Sequence, residues 1–107
     1  MRTFEIDVAM RPGGAVVTVT GDLDLATCPH LIRATDTIPL EGRMLTLELS
    51  AVTFMDSTGL NMLLGLRERA RAEGGTLDLA GLPEQARNVL DHTSTSDLFA
   101  LRPGRAA

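Results

Sequence analysis

The sequence predicts a single α/β domain with a mixed sheet of about four to five strands and about three or four helices. Segments whose apolar residues alternate are interleaved with segments whose apolar residues recur every three to four positions. The order is β-β-α-β-α-β-α, in which an initial hairpin followed by alternating strands and helices gives a sheet covered mainly by helices. The chain has 107 residues, 44% of them hydrophobic, enough for one core. We expect one domain, 1–107, with an ordered core at about 3–101 and a loose tail at 102–107.

The N-terminal part of the chain predicts a β-hairpin. Residues 3–10 alternate between apolar and polar side chains, which is typical of a strand with one solvated face. Residues 11–14, Arg-Pro-Gly-Gly, have the chemistry of a turn, and residues 15–20 are rich in β-branched side chains and predict the second strand. Residues 21–25, Gly-Asp-Leu-Asp-Leu, break the alternation, so we expect the strand to end before them.

Helices and strands alternate through the rest of the chain. Thr27 precedes Cys28 and Pro29 in the manner of an N-cap followed by a first-turn proline. Charged residues crowd the stretch 67–73 in the second half of the longest helix, where we expect a solvated face. The predicted elements are a helix at about 28–37, a strand at 44–49, a helix at about 57–73, a strand at 76–80, a helix opening near residue 83 and a short apolar segment at 98–101.

The charge and the aromatic content of the chain argue against a nucleic-acid partner. The formal net charge is -4, all ten basic residues are arginine and three residues are aromatic. Nucleic-acid interfaces are instead basic and often carry aromatic stacking platforms. The lack of lysine also excludes a catalytic lysine and the phosphate-binding lysine of a P-loop. We expect no nucleic-acid partner and no cofactor.

The chain shows no segment suited to a membrane or to export. No apolar run approaches the ~20 residues of a membrane-spanning helix, and residues 1–5 include an acid and no apolar core of a signal peptide. The single cysteine, Cys28, excludes an internal disulfide and fits a reducing compartment. We therefore expect a cytoplasmic protein with no membrane partner.

The segment 55–60, Met-Asp-Ser-Thr-Gly-Leu, lies where a predicted strand gives way to a helix. One interpretation is a helix cap alone, because Asp, Ser and Thr side chains accept hydrogen bonds from free first-turn amides. Gly59 argues for more than a cap, since glycine inside a helix costs ~1 kcal/mol relative to alanine. If Asp56 is the cap, the hydroxyl of Ser57 points outward at a helix N-terminus, where amides and the helix dipole favour an added phosphate.

Two acids after the second strand, Asp22 and Asp24, admit two interpretations. Aspartate is common in turns because its side chain bonds nearby backbone amides, whereas a magnesium site usually needs more ligands or a phosphate. We favour the turn. We also expect no zinc, because Cys28, His30 and the distant His92 lack the spacing of a zinc site.

An enzyme that uses Ser57 as a nucleophile, such as a hydrolase, is the remaining chemical alternative. That chemistry needs a general base and an oxyanion hole. The chain has no Gly-x-Ser-x-Gly motif, and neither histidine is placed by the sequence to act as the base. We therefore expect no catalytic residue in this chain.

Four stretches of the sequence together resemble the STAS domain and, more narrowly, the bacterial anti-sigma-factor antagonists. The resemblance covers about 4–101, and its most specific part is the switch motif, Asp-Ser-Thr-Gly-Leu at 56–60. It implies a STAS-type sheet for the α/β fold. The stretches are Gly-Asp-Leu-Asp at 21–24, Thr-Cys-Pro at 27–29, Leu-Glu-Leu-Ser-Ala-Val-Thr-Phe-Met-Asp-Ser-Thr-Gly-Leu at 47–60 and Gly-Gly-Thr-Leu-Asp-Leu-Ala-Gly-Leu at 74–82.

In this family the serine after the aspartate of the motif is phosphorylated, and Ser57 occupies that position here. The resemblance implies a partner that is both an anti-sigma factor and a serine kinase with a histidine-kinase-like ATPase fold. It implies that the unphosphorylated chain binds this partner and frees a sigma factor, and that the phosphorylated chain lets go. A serine phosphatase then resets the switch. Asp56, Thr58 and Gly59 flank the phosphorylation site and are expected at the partner surface.

The resemblance also places the turn that contains Asp22 and Asp24 beside the switch serine, so these acids are candidate docking residues for the kinase. Asn61 stands where the family often has glycine and is expected at the partner surface. Residues 93–96, Thr-Ser-Thr-Ser, replace a Thr-Gly-Leu turn that the family often has before its final phenylalanine. The alternative within the fold is a STAS scaffold of a stressosome, or an accessory subunit of a lipid transporter.

Overall fold

The computed structural model describes residues 3–104 of the chain. Within this range the order of strands and helices is the one that the periodicity predicts, with a fifth strand at the C-terminal end. None of the helices in this range is long and apolar enough to cross a lipid bilayer. The elements are β1 (Glu5–Arg11), β2 (Gly14–Leu23), α1 (Cys28–Asp36), β3 (Met44–Met55), α2 (Ser57–Ala72), β4 (Thr76–Ala80), α3 (Glu84–His92), a 3₁₀ turn (Ser96–Leu98) and β5 (Ala100–Arg102).

The strands form one sheet in which each strand lies beside its predecessor in the chain. β1 pairs antiparallel with β2, and the strands from β2 to β5 pair parallel with one another in turn. Right-handed crossovers that all advance in one direction place their helices on the same face of the sheet. α2 accordingly contacts both α1 and α3. The predicted mixed α/β sheet is confirmed, with its helices in one layer.

The core lies between the helical layer and one face of the sheet. Val17, Leu47 and Leu79 face one another across β2, β3 and β4, and each of them is fully buried. Leu63 of α2 belongs to the same buried cluster, as its helical spacing predicts. Burial of one such side chain stabilises a fold by about 1.5–3 kcal/mol, so these rows make a large contribution to stability.

β2 and β3 are longer than the alternation predicts, since they end at Leu23 and Met55. Their pairing shifts register twice, and the second shift falls between Gly21 and Asp22. A bulge adds a residue to one strand and interrupts the period of two while pairing continues. Gly21 has φ +106°, a backbone conformation that other residues rarely adopt. Both shifts add the extra residue to β3, so the interruption that was expected after residue 20 is the end of β2, where it pairs with a bulged stretch of β3.

The last strand lies at the C-terminal boundary that was expected at about residue 101. Arg102 belongs to β5, and its guanidinium forms an ion pair with the buried carboxylate of Asp78 on β4. Arg102, the first residue of the expected tail, is the last residue of this strand. Residues 105–107 of that tail lie outside the described residues.

The arginine-rich half of α2 is partly structural. Arg69 donates from Nη1 to the carbonyl of Thr35 at 2.8 Å and from Nη2 to the carbonyl of Ile38 at 2.7 Å. Its Nε donates to the Glu73 carboxylate at 2.7 Å. The two carbonyls lie at the end of α1 and just after it, where helix carbonyls lack partners within the helix. The expectation of a merely solvated face over 67–73 is therefore wrong at Arg69.

We expect Arg69→Gln to lower the free energy of unfolding by about 1–3 kcal/mol, because it removes two charge-assisted hydrogen bonds to backbone carbonyls. Arg71→Gln is the matched control: Arg71 lies on the same helix and is exposed, and its replacement should change stability by less than ~0.5 kcal/mol. Urea denaturation followed by circular dichroism measures both values. Equal stabilities of the two variants would show that Arg69 does not hold α1 against α2.

Candidate functional site

The switch motif and the acidic turn (residues 21–25) lie at the same end of the sheet. Asp22 pairs with Phe54 across β2 and β3, and the backbone N–H of Asp56 donates to the carbonyl of Leu23 at 3.3 Å. The two strands are parallel, so their carboxyl ends meet there and α2 begins beside the end of β2. The fold thus brings together the two segments that the sequence patterns single out.

Asp56 is the N-cap of α2. Its backbone is extended, with φ -110° and ψ -169°. Its Oδ1 accepts hydrogen bonds from the backbone N–H of Thr58 at 2.9 Å and of Gly59 at 3.3 Å. One carboxylate oxygen therefore satisfies two of the free amides of the first turn. The two interpretations of the motif, a cap and a switch, are compatible because Asp56 alone supplies the cap.

Ser57 is the first residue of α2, and its side chain is exposed. Its hydroxyl forms no hydrogen bond with any group among residues 3–104. A hydroxyl at this position lies beside the N-terminal amides of the helix, where the helix dipole favours negative charge. The exposed position at a helix start that the motif predicts is confirmed. Its neighbour Thr58 is half-buried.

Gly59 is buried because α2 begins against the end of β2. A Cβ at this residue would lie 2.5 Å from Cγ of Met55 and 2.9 Å from the carbonyl oxygen of Leu23, closer than real Cβ contacts. Packing within the chain therefore requires glycine here. Gly59 flanks the switch serine and faces β2, and its expected contribution to partner binding stays a prediction.

The two acids of the acidic turn have different environments. Asp22 is 8% exposed, and its Oδ1 accepts a hydrogen bond from the hydroxyl of Thr53 at 2.5 Å. Asp24 Oδ1 accepts from the backbone N–H groups of Ala26 at 3.0 Å and Thr27 at 3.1 Å, which is the geometry of an Asx turn. The turn interpretation is confirmed for Asp24. Asp22 is buried, and its expected role as a docking acid stays a prediction.

Two large apolar side chains near the ends of β2 and β3 are exposed. Leu25, in the acidic turn, is 77% exposed, and Phe54 is 42% exposed. Asn61 is also exposed, one turn of α2 after Ser57. A contiguous patch of exposed large apolar side chains is typical of a surface that another protein covers. Periodicity did not single out Leu25 or Phe54, because it assigns apolar residues to the core.

Gln85, on α3, supports the site although no sequence pattern indicates it. Its side-chain amide bonds both backbone groups of Met55: Oε1 accepts from the N–H at 2.8 Å and Nε2 donates to the carbonyl at 2.8 Å. These two bonds hold the residue that immediately precedes Asp56. The partner lies 30 residues earlier in the chain, so no local pattern could have found it.

The histidines do not support a hydrolase or a metal site. Nδ1 of His92 lies 2.7 Å from the carbonyl oxygen of Asn88, and Nδ1 of His30 lies 3.4 Å from Nη2 of Arg33. Neither ring is hydrogen-bonded to Ser57, as a nucleophile and its base would be. In the described part of the chain, no three His, Cys, Asp or Glu side chains cluster so that they could hold a metal ion.

The buried thiol of Cys28 is influenced by one carboxylate from each of the two segments, Asp56 and Asp24. The Cys28 side chain is 3% exposed. Burial, followed by the negative charges of Asp56 and Asp24, raises the pKa of Cys28 to about 11. The thiol therefore stays protonated at neutral pH, as expected of a small buried residue.

We expect Gly59→Ala to destabilise the fold by about 1–3 kcal/mol, because the new Cβ would overlap Met55 and the Leu23 carbonyl. Gly65→Ala is the matched control on the same helix, where no atom lies within 4 Å of the new Cβ. There the higher helix propensity of alanine should raise stability by up to ~1 kcal/mol. Urea denaturation measures both variants, and equal stabilities would show that α2 is not seated against β2 in this way.

The chain contains no lysine and no tyrosine, so Cys28 is the only side chain that should titrate between about pH 8.5 and 11. The unfolded thiol loses its proton near pH 8.5, whereas the folded thiol keeps it up to about pH 11. The folded state therefore binds more protons in this window, and the free energy of unfolding should fall as pH rises, by about 3 kcal/mol in all. Urea denaturation across this range measures the slope. Cys28→Ala should flatten it, and an unchanged slope would refute the assignment.

Comparison with known proteins agrees with this geometry. Residues 6–100 match a family model described as the Mlab, STAS domain. The anti-sigma-B factor antagonist of Bacillus subtilis (strain 168) is 29% identical over 96 residues, which are 90% of this chain and 88% of that protein. An anti-sigma factor antagonist from Mycobacterium paratuberculosis has a crystal structure similar to this one, with a TM-score of 0.77, 28% identity and coverage of 94% of this chain and 86% of that chain. The anti-sigma factor antagonist SpoIIAA in its unphosphorylated form shares the fold, with a TM-score of 0.78, 17% identity and coverage of 94% and 89%. The chain belongs to the STAS domain family and, within it, to the anti-sigma factor antagonists, one of which, from Listeria monocytogenes, is 30% identical over 80% of this chain.

Proposed function

We propose that this chain is an anti-sigma factor antagonist that binds an anti-sigma factor kinase, frees a sigma factor by doing so, and is released when Ser57 is phosphorylated. The observation that carries the proposal is the exposed and unpartnered hydroxyl of Ser57 at the start of α2, with Asp56 supplying the cap. The relatives named as antagonists support it, and one of them, SpoIIAA, is described as having an unphosphorylated form.

In the proposed phosphoryl transfer, this chain supplies the acceptor hydroxyl and the kinase supplies the other reacting groups. Oγ of Ser57 attacks the γ-phosphorus of ATP held by the kinase, the bond from that phosphorus to ADP breaks, and a base of the kinase takes the hydroxyl proton. The kinase also supplies Mg²⁺, and the products are phosphoserine and ADP. The contribution of this chain is an accessible acceptor on a rigid element, because α2 holds Ser57 in place.

Phosphorylation is expected to break the complex and to leave the fold intact. The phosphate adds about -1.5 to -2 charges, and the helix N-terminus returns about 0.3–1 kcal/mol in the free chain. At ~5 Å from the Asp56 carboxylate, each pair of like charges costs about 3 kcal/mol at an effective dielectric of ~20. Water screens this repulsion in the free chain and much less in a closed interface, so the interface loses more than the fold.

The proposed kinase-binding surface consists of the exposed residues around Ser57. Asp24 and Asn61 offer polar groups at its margin, and Leu25 and Phe54 offer apolar area that a partner would cover. A serine phosphatase resets the switch by hydrolysing the phosphate ester, which is accessible at the start of α2. The same exposed surface thus serves binding, modification and reset.

We expect Ser57→Ala to fold normally, to escape phosphorylation and still to bind the cognate anti-sigma factor kinase. The variant keeps the Asp56 cap, so its stability should change by less than ~0.5 kcal/mol. Thr58→Ala is the matched control, because it removes the neighbouring hydroxyl and should be phosphorylated like the parent chain. Intact-mass measurement and fragment-ion mapping, after incubation with the kinase, ATP and Mg²⁺, identify the modified residue.

Calorimetric titration of the kinase with both forms of the chain tests the release step. The phosphorylated form should bind roughly 1,000-fold more weakly and should keep a cooperative thermal transition. Phosphate on Thr58, near-equal affinities of the two forms, or loss of the cooperative transition would each overturn the proposal. Binding to a transporter or a stressosome partner without any phosphorylation would support the alternative STAS role instead.

A further inference from the structure

β1 forms an edge of the sheet whose outer pairing side is open. It pairs with β2 in an uninterrupted register from Glu5 to Arg11, and no other strand within residues 3–104 pairs with it. The opposite edge, β5, has 3 residues and is followed by Pro103, which is a common protection of an edge. β1 has 7 residues and contains no proline, lysine or bulge. Its outer N–H and C=O groups are suited to a further strand.

Two apolar side chains on β1 are in line with the core and yet face solvent. Val8 faces Val17 across the sheet and Met10 faces Ala15, and Val17 and Ala15 are 0% and 2% exposed. Val8 is 41% exposed and Met10 is 52% exposed. The rows of core side chains that cross the sheet therefore continue onto β1, where their last members, Val8 and Met10, are exposed to solvent. A neighbouring strand would continue these rows and cover both side chains.

We propose that β1 pairs antiparallel with β1 of a second copy of this chain, across a two-fold axis at Val8. In this register Val8 faces Val8 of the second copy, Ile6 faces Met10, and Glu5 faces Arg11. The two copies form one continuous sheet, with an opposite-charge pair at each end of the shared ladder. Apolar pairs lie on the core face, and Asp7 faces Ala9 on the other face. The contact is isologous, so the assembly closes at two copies.

The side chains of β1 favour this register over its neighbours. A shift by two residues in one direction sets Asp7 opposite Asp7 of the second copy, and like charges directly opposite destabilise a sheet. A shift in the other direction sets Asp7 opposite Arg11 and Ala9 opposite Ala9, and it leaves Glu5 beyond the end of the strand. Shifts by one residue place side chains of opposite faces next to each other. The register centred on Val8 gives both end residues an opposite charge.

The second copy does not compete with the proposed switch, and this inference does not depend on it. α2 packs on β3 and β4, away from the edge at β1, so the pairing leaves Ser57 accessible. An interface made by one pair of strands is small, and interfaces below about 1,200 Å² are weak and transient. We therefore expect a dimer that forms at high concentration and dissociates on dilution.

Charge reversal tests the ends of the shared ladder. Glu5→Arg and Arg11→Glu should each raise the dimer dissociation constant by roughly tenfold, because each places two like-charge pairs in the ladder. The double variant restores two opposite-charge pairs and should dimerise like the parent chain. Sedimentation velocity from about 10 μM to about 1 mM measures the constants. A parent chain that stays monomeric over this range, or a double variant no better than the single ones, would overturn the proposal.

Cysteine cross-linking tests the position of the axis. In a Cys28→Ala background, Val8→Cys should form a disulfide-linked dimer under mild oxidation, because directly opposite Cα atoms lie about 4.5–5.5 Å apart, within disulfide reach. Met10→Cys is the matched control, since it faces Ile6 and should stay reduced. Cross-linking through Ala9→Cys and not through Val8→Cys would place the axis elsewhere and overturn the register. Circular dichroism verifies that each variant is folded.

Discussion

The close approach of α2 to the end of β2 is the constraint on which the candidate site depends. The absence of a side chain at Gly59 lets the helix reach the carbonyl of Leu23, and the N–H of Asp56 bonds to that same carbonyl. From the other side, Gln85 holds both backbone groups of Met55, the last residue of β3. The first turn of α2 is therefore fixed by two strands and a second helix.

Because Asp56 caps α2, the side chain of Ser57 has no structural role at the start of the helix. One oxygen of the Asp56 carboxylate serves two amides, so the hydroxyl of Ser57 is not needed to complete the helix. A serine in the capping position itself would have its oxygen among those amides, and a phosphate there would disturb the cap. Placed one residue later, the hydroxyl reaches solvent, and its modification leaves the hydrogen bonds of the helix start in place.

Local sequence patterns predicted the features that depend on local chemistry. Alternation located the strands, and the motif located Ser57 at a helix start, because capping acts over three or four residues. The patterns failed where the partner is distant: Asp22 and Asp24 look alike in the sequence, yet Asp22 is buried against Thr53, 31 residues away. Gln85 was missed for the same reason. The last part of β3 was missed because its bulges erase the period of two on which the prediction relies.

The order of the strands has a consequence for how an enzyme meets Ser57. β3 lies at the centre of the sheet, with two strands on either side, and α2 begins directly after it. Local opening of a protein starts at edges and termini, whereas central strands exchange their amide hydrogens most slowly. The backbone next to Ser57 is therefore attached directly to the central strand of the sheet. A kinase can bind a serine in a flexible loop as a short extended peptide. It must bind Ser57 as part of a folded surface, so its recognition of this serine depends on the shape of that surface.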